Sequence, residues 1–445
     1  MSQSTVKKIP NNYFDGMPVT GFHKIVFFII MMAYFCEQMD NWNFGFIAPA
    51  LMHTWGLQMS DIGVVTLWYF IGMTAGGFFG GVISDFIGRR KTFLISIATF
   101  SFFSVLNGFT DNFHVFVIAR SMTGFGVFCL MVCSQAYIAE MAPAESRGKW
   151  QNLTAAVGMI GVPVVGVLCR IVLPLSTDAW RWVFYAGGAG VLLFFGAHRV
   201  LLESPRWLMA RDRRAEAESV VREISGVDVE LSQVKLEKGG VKPPLSEMLL
   251  GLFSREYIRT SLVVILPFLI LGPATYIFQN WTTTLFKSQG FSLEDSLTIT
   301  LFMQLGIPVG LFAFSYLSEL GGRKLPIVIS LFFMGFSGLA ITFCTTLWEF
   351  CFVGFLIMGC IQGVVYTYLA YTSESFPTKI RNTGLAVLQA GCRITTSLSQ
   401  LVIPGLYAAF GFSGIFNTFF LLCIIPAVFI ALFAKRTAGR PLEEI

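Results

Sequence analysis

The sequence predicts an all-α membrane protein of twelve transmembrane helices arranged as two six-helix halves. Three observations predict it. Of 445 residues, 55% are hydrophobic and only 13% charged, where a soluble domain carries roughly a quarter charged. Apolar runs of about 20 residues, each enough to cross ~30 Å of hydrocarbon, recur along the chain. The loops between the runs also repeat at a fixed interval.

Taken in order, the runs predict helices over 24–52, 61–84, 92–109, 113–140, 149–173 and 180–202. After a charged gap they predict helices over 257–286, 293–318, 325–344, 347–372, 384–409 and 411–434. The residues before the first run are polar, and that run holds no small-residue cleavage site, so no cleavable signal peptide is expected. Basic residues set the orientation. With the amino terminus inside, the inner loops hold Arg89, Arg90, Lys91, Arg147, Lys149, Arg323, Lys324, Lys379 and Arg381, whereas the outer loops hold Arg181 and Lys287. Both termini are therefore expected in the cytoplasm. The expected domains are an N-terminal half over 1–203, a cytoplasmic linker over 204–256 and a C-terminal half with its tail over 257–445. In the linker, "DRRAEAESVVREIS" places Ala217, Val220, Val221 and Ile224 at helical spacing, which predicts short surface helices, and Lys238 to Pro244 is a Gly/Pro break.

Composition also excludes classes. The isoelectric point near 8.7 follows from the basic inner loops, and no separate basic patch suggests a nucleic-acid partner. The nine cysteines lie in or beside apolar helices without a CxxC pair, so no metal site and no disulfide framework is expected. The chain has no nucleotide-binding glycine loop, no zincin pattern and no nucleophile elbow, so neither an enzyme nor a cofactor is expected. A non-transporting sensor would carry an added soluble signalling domain.

The turn after the second helix reads "GGVISDFIGRRK" and the turn after the eighth reads "FSYLSELGGRK". Asp85, Gly88 and Arg89 align with Glu319, Gly322 and Arg323 at an offset of 234 (319 minus 85). Glu140, Pro143 and Arg147 align with Glu374, Pro377 and Arg381 at the same offset (374 minus 140). Two six-helix halves in parallel topology follow. Acid and arginine beside a turn glycine can form charge-assisted, bidentate pairs. Asp85, Gly88, Arg89, Arg90, Glu140, Arg147, Glu319, Arg323, Glu374 and Arg381 are therefore candidates for a cytoplasmic gate, set against plain positive-inside anchoring.

With these motifs the chain resembles the major facilitator superfamily of secondary transporters over its whole length. Gly81 to Lys91 matches the superfamily's GxxxDxxGRRK loop, and "RSMTGFG" at Arg120 to Gly126 is similar to its helix-4 motif. "ESPRWL" at Glu203 to Leu208 and "GRPLEEI" at the carboxyl end resemble the sugar-porter and organic-ion branch. Helix 7 reads "ATYIFQNWTTTLF" and lacks the paired glutamines of hexose carriers. "EQMD" at Glu37 to Asp40 and "YLAYTSESFPTKIRNTG" at Tyr368 to Gly384 resemble the bacterial niacin and aromatic-acid proton symporters. The resemblance implies a major facilitator fold in a bacterial inner membrane and proton-coupled uptake of a small organic anion, such as an aromatic or heteroaromatic carboxylate, by alternating access. It also implies a monomer. A proton-coupled sugar or polyol symporter and an organic-ion efflux antiporter are the alternatives.

Ionisable groups at mid-bilayer cost about 3 kcal/mol and face a cavity or a partner. Glu37 and Asp40 are i and i+3 near the middle of the first helix, on one face. None of Glu37, Asp40, Arg120, Arg170 and Arg393 has a charged counterpart 234 residues away: the positions are Leu271, Ala274, Gly354, Pro404 and Met159. Glu37, Asp40 and Arg120 are candidates for proton coupling, the alternative being a structural ion pair of a helix-1 acid with Arg120. Arg393 offers a planar fork suited to a carboxylate, the alternative being a pair with a helix-1 acid. Arg170, four residues before Pro174, is expected to snorkel to the interface. Unpaired amides are costly in apolar surroundings. Trp42, Asn43, Gln135, Tyr276, Gln279, Asn280, Gln304, Gln362, Tyr366 and Gln389 therefore join Arg393 as candidates for the substrate site, together with Trp281.

Overall fold

The computed structural model describes residues 13–14, 17–231, 250–317, 323–377 and 380–434. Among these residues every regular element is a helix and no strand forms. The first six spans are α1 (Gly21–Trp55), α2 (Met59–Ile87), α3 (Arg89–Phe109), α4 (Phe113–Met141), α5 (Ala144–Val172) and the pair α6 (Trp180–Gly187) and α7 (Gly190–Val200), which together cross once. The charged linker forms two short helices, α8 (Pro205–Met209) and α9 (Arg214–Ser225). Its Gly/Pro break at 238–244 lies outside the described residues, as do Glu319, Gly322, Lys379 and the "GRPLEEI" tail.

The second half opens with α10 (Ile258–Tyr276), a π-helical turn (Ile277–Trp281) and α11 (Thr282–Ser288), which form one span. Then come α12 (Leu293–Leu317), α13 (Lys324–Ile341), α14 (Leu347–Ser375) and α15 (Arg381–Phe433). α15 has 53 residues, and at 1.5 Å per residue it would run roughly 80 Å if straight. Gly411, at φ 64°, breaks it inside, so α15 supplies the last two spans. Among the described residues twelve spans result.

The helix ends follow ordinary capping chemistry. The Asn112 side chain accepts from the backbone of His114 and Val115 to start α4, and Thr346 with Glu349 forms a capping box on α14. Arg181, one of the two basic residues expected outside, donates to the Gly108 and Thr110 carbonyls at the end of α3. In α9, Arg213 donates to Glu216 and holds that carboxyl below the usual carboxylate range.

The chain resolves into two compact units. One comprises Met1–Asn41, Trp68–Val165 and Arg181–Lys242; the other comprises Trp42–Leu67, Gly166–Trp180 and Pro243–Ile445. α1, α2 and α5 each contribute to both.

In the first unit α2 meets α4 through a ladder of glycines four residues apart. A Cβ on Gly72 would lie 1.9 Å from the Ser121 carbonyl oxygen, one on Gly76 would lie 2.2 Å from that of Phe125, and one on Gly80 would lie 2.9 Å from Cys129 Cα. In the second unit α12 meets α14 the same way. A Cβ on Gly306 would lie 2.1 Å from the Phe355 carbonyl oxygen, and one on Gly310 would lie 2.1 Å from that of Gly359. Gly72, Gly76, Ser121 and Phe125 map onto Gly306, Gly310, Phe355 and Gly359 at the offset of 234 (306 minus 72, 355 minus 121). Lipid tails give helices no hydrophobic reason to associate, so close backbone approach through small residues does this work.

The α8–α9 segment packs on the first unit. The Trp207 indole donates to the Asp85 carbonyl at 2.9 Å, and Arg211 donates to the carbonyls of Asp85 and Phe86, which satisfies orphan groups at the end of α2.

Adding a methyl at these seats forces backbones apart, and overpacking costs about 1–3 kcal/mol. Gly72→Ala and Gly306→Ala are both expected to lower the thermal unfolding temperature in detergent. Gly405→Ala, where a Cβ meets nothing within 4 Å, is expected to leave it unchanged.

Candidate functional site

In the first unit α1 carries Glu37 and Asp40 into the interior, 1% and 0% exposed. Arg120 of α4, also 0% exposed, donates from Nη1 to Asp40 Oδ2 at 3.0 Å and from Nη2 to the Asp40 backbone carbonyl at 3.0 Å. The Tyr69 ring lies 4.3 Å from the guanidinium carbon and the Phe184 ring 5.6 Å, both in cation–π range. The Ser104 hydroxyl of α3 contacts Asp40 Oδ1. Gly187 leaves that oxygen room, since a Cβ there would lie 2.6 Å from it. Tyr69 donates its hydroxyl to Asn41 at 2.8 Å. The ion pair expected for a helix-1 acid with Arg120 therefore belongs to Asp40. Glu37, one turn earlier, has a buried Oε2 with no hydrogen-bond partner among the described residues.

Sequence alone does not single out Ser104, Tyr69, Phe184 or Gly187. None is charged, and nothing in the local pattern separates them from other helix residues. Gln135, further along α4, is half-buried in the same unit.

In the second unit the polar candidates lie on several helices, two of them on the π-helical turn. A π turn widens the helix by one residue and is common at functional positions; here it carries Gln279 and Asn280, directly after Tyr276. Gln279, Gln304 and Gln362 are 9%, 1% and 7% exposed, and Asn280 is half-buried. Both amide atoms of Gln304 are buried without a partner among the described residues. Arg393 and Tyr276 are half-buried and within electrostatic reach of one another. Trp42 and Asn43 of α1 are buried in this unit. Tyr366 and Gln389 are exposed.

Two residues around the turn, Gln400 and Gly45, are not among the sequence candidates. Trp281 donates its indole N–H to Gln400 Oε1 at 2.7 Å. Gly45 of α1 seats on the turn's backbone: a Cβ there would lie 3.0 Å from the Gln279 carbonyl oxygen. Arg170 does not merely snorkel. It donates to Thr298 Oγ1 at 3.0 Å and pairs with Glu294 at 3.1 Å.

At the basic-loop end, each gate pair closes within its own unit. Arg89 meets Asp85 at 2.7 Å and Glu140 at 2.9 Å, and Arg323 meets Glu374 at 2.6 Å. Both Arg–Glu pairs span 51 residues. Glu203 accepts the backbone N–H of Arg89 at 2.7 Å and of Arg90 at 3.1 Å, neutralising the positive start of α3. Gly88 makes the turn possible: its φ is +103°, and a Cβ would lie 2.2 Å from Glu203 Oε2. Arg90 also donates to the His198 carbonyl, Arg381 donates to the Phe376 carbonyl, and Arg147 is half-buried.

Among the described residues, twelve apolar spans, with a buried charge pair in the first unit and buried amides in the second, fit a membrane transporter. The chain belongs to the sugar (and other) transporter family of the major facilitator superfamily, whose pattern matches residues 27–445. YyaJ of Bacillus subtilis (strain 168), provisionally described as a metabolite transport protein, is 30% identical over 417 residues, covering 91% of this chain and 90% of its own. The niacin transporter NiaP of Acinetobacter baylyi is 26% identical over 97% of this chain and 98% of its own. The inward-open, partially occluded structure of the xylose transporter XylE from E. coli superposes with a TM-score of 0.74 at 21% identity, over 95% of this chain and 100% of that one, which establishes the fold.

Removing one partner of a buried ion pair costs about 3–5 kcal/mol, because the other charge is left uncompensated. Asp40→Asn is therefore expected to destabilise the protein strongly in thermal denaturation. Glu37→Gln strands no cation and is expected to cost less than about 1 kcal/mol. The opposite ranking would contradict the assignment of the pair.

Proposed function

We propose that this transporter performs proton-coupled uptake of a small organic anion, a heteroaromatic or aromatic carboxylate, across a bacterial inner membrane as a monomer with both termini in the cytoplasm. The observation that carries the reading is the division of roles in α1: Asp40 is matched by Arg120, and among the described residues no cation is bonded to Glu37. Glu37 can take up and release a proton without breaking an ion pair; Asp40 and Arg120 hold the field around it. The substrate carboxylate is assigned to Arg393, whose fork suits it, and the ring to the face formed by Tyr276, Gln279, Asn280, Gln304 and Gln362. Trp42, Asn43, Tyr366 and Gln389 in the second unit and Gln135 in the first remain further candidates for substrate contact. The kinship with a niacin transporter supports a carboxylate. Anion and proton entering together would be linked reciprocally, each tightening the other. The acid–arginine pairs at the basic-loop end are read as the cytoplasmic gate of alternating access between the N-terminal half (1–203) and the C-terminal half (257–445).

A second reading, a proton-coupled carrier of a neutral polyol, is favoured by one observation. Gln279, Asn280, Gln304 and Gln362 offer both donors and acceptors, the chemistry that hydroxyl-rich solutes require.

Uptake of nicotinate, benzoate and xylose into proteoliposomes, with and without an imposed pH gradient, tests both. Glu37→Gln is expected to keep exchange of internal for external substrate and to lose accumulation on the gradient. Arg393→Lys is expected to weaken carboxylate affinity about tenfold, or 1.4 kcal/mol, because the ammonium lacks the bidentate fork. Gradient-driven accumulation by Glu37→Gln equal to wild type would overturn the coupling role. Uptake of xylose but neither carboxylate would favour the second reading.

A further inference from the structure

The π-helical turn Ile277–Trp281 does not hold its register alone. Its last residue, Trp281, is 1% exposed and gives its only side-chain donor to Gln400 Oε1 at 2.7 Å. Gln400 is fully buried and its amide is fully engaged, with Nε2 donating to the Thr396 carbonyl at 3.0 Å and the Ser399 hydroxyl at 3.3 Å. Its backbone is engaged as well. α2 starts against it, so that a Cβ on Gly63 would lie 2.6 Å from the Gln400 carbonyl oxygen. The other side of the turn is covered by Gly45 of α1, whose Cβ would lie 3.3 Å from Asn280 Cα. One residue thus touches the turn through its side chain and the packed start of α2 through its main chain.

We infer that Gln400 is a positioning residue: through Trp281 it fixes the turn that presents Gln279 and Asn280, and it ties that turn to the seating of α2 at Gly63. The inference rests on the reading of Gln279 and Asn280 as part of the substrate face. A helix that can widen or narrow by one residue has two registers that aim the same amides differently. A buried hydrogen bond from its last residue selects one of them. Because Gln400 also forms the seat for Gly63, displacement of α2 loosens the residue that holds the register.

Hydrogen–deuterium exchange of the purified full-length protein, read by mass spectrometry without ligand, tests the inference. Loss of one buried hydrogen bond is expected to speed exchange across 277–284 about fivefold. Gln400→Met and Trp281→Phe should each do so, and the double variant should match either single one. Gly63→Ala should speed exchange in the same segment. A merely structural role would instead lower the melting temperature and speed exchange in neighbouring helices, and that outcome overturns the inference. Unchanged exchange in Gln400→Met overturns it too, and an additive double variant shows that the two residues act separately. If Gly63→Ala leaves 277–284 protected, the tie to α2 is wrong. Failure of the substrate-face reading is distinguishable: Gln279→Ala and Asn280→Ala would then transport normally in the proteoliposome assay, whatever the exchange result.

Discussion

Close approach of helix backbones in a medium that supplies no hydrophobic drive is the constraint on which the rest of this molecule depends. Every span is apolar on the outside as well as the inside, so apolar surface alone cannot choose partners. Glycines choose them. Gly72 and Gly76 bring α2 onto the carbonyls of α4, and Gly306 and Gly310 do the same for α12 on α14. Once these pairs are in register, the arginine at the start of the next helix reaches the glutamate at the end of the fourth or tenth span. That is why Arg89–Glu140 and Arg323–Glu374 recur with identical spacing.

The charges inside the spans obey a different logic. Desolvating a carboxylate and a guanidinium costs several kcal/mol each, and attraction repays it only when the remaining donors and acceptors are also satisfied. Asp40 meets that condition: Oδ2 accepts from Arg120 and Oδ1 from the Ser104 hydroxyl, while the guanidinium also donates to the Asp40 carbonyl and faces the rings of Tyr69 and Phe184. Glu37 does not, with one oxygen buried and unbonded. The scaffold thus gives one acid an ion pair and leaves another, three residues away, with a buried oxygen that has no hydrogen-bond partner among the described residues. Gln304, with both amide atoms unbonded, marks a comparable incompleteness in the second unit.

Much of this was legible in the sequence, and the parts that were not share a cause. Span number and loop pairing could be read because hydropathy and the 234-residue offset are one-dimensional signals. Glu37, Asp40 and Arg120 stood out because charge in hydrocarbon is rare. Which acid takes Arg120 could not be read, since i and i+3 share a face and the choice depends on Ser104 and Gly187 from other helices. Arg170 reads as a snorkelling cation because Glu294 and Thr298 are over a hundred residues away in sequence. The glycine ladder was legible in principle, because Gly72 and Gly306 obey the same offset as the loop motifs, yet a lone glycine in a membrane helix carries no local signal. The π turn and Gln400 left none: a widened helix has the same hydropathy as a regular one, and Gln400 is one amide among many.

The offset also explains how the second unit comes to include pieces of the first half. Gly45 and Gln279 are the same position in the two repeats (279 minus 45 is 234), and they touch, with a Cβ on Gly45 reaching 3.0 Å from the Gln279 carbonyl oxygen. Gly166 and Gln400 are likewise equivalent (400 minus 166 is 234). Gly63 seats on Gln400, while Gly166 is approached by Leu301, whose side chain would lie 2.9 Å from a Cβ there; Leu301 is four residues past the Gly63 equivalent, Leu297. Within the second unit, equivalent positions of the repeat thus pack in approximately reciprocal ways. Recognition of an asymmetric solute requires that symmetry to fail somewhere. It fails at these positions: glycine on one side of each equivalent pair and glutamine on the other. The glycine lets the backbones meet, and the glutamine supplies the polar group that the meeting puts in place.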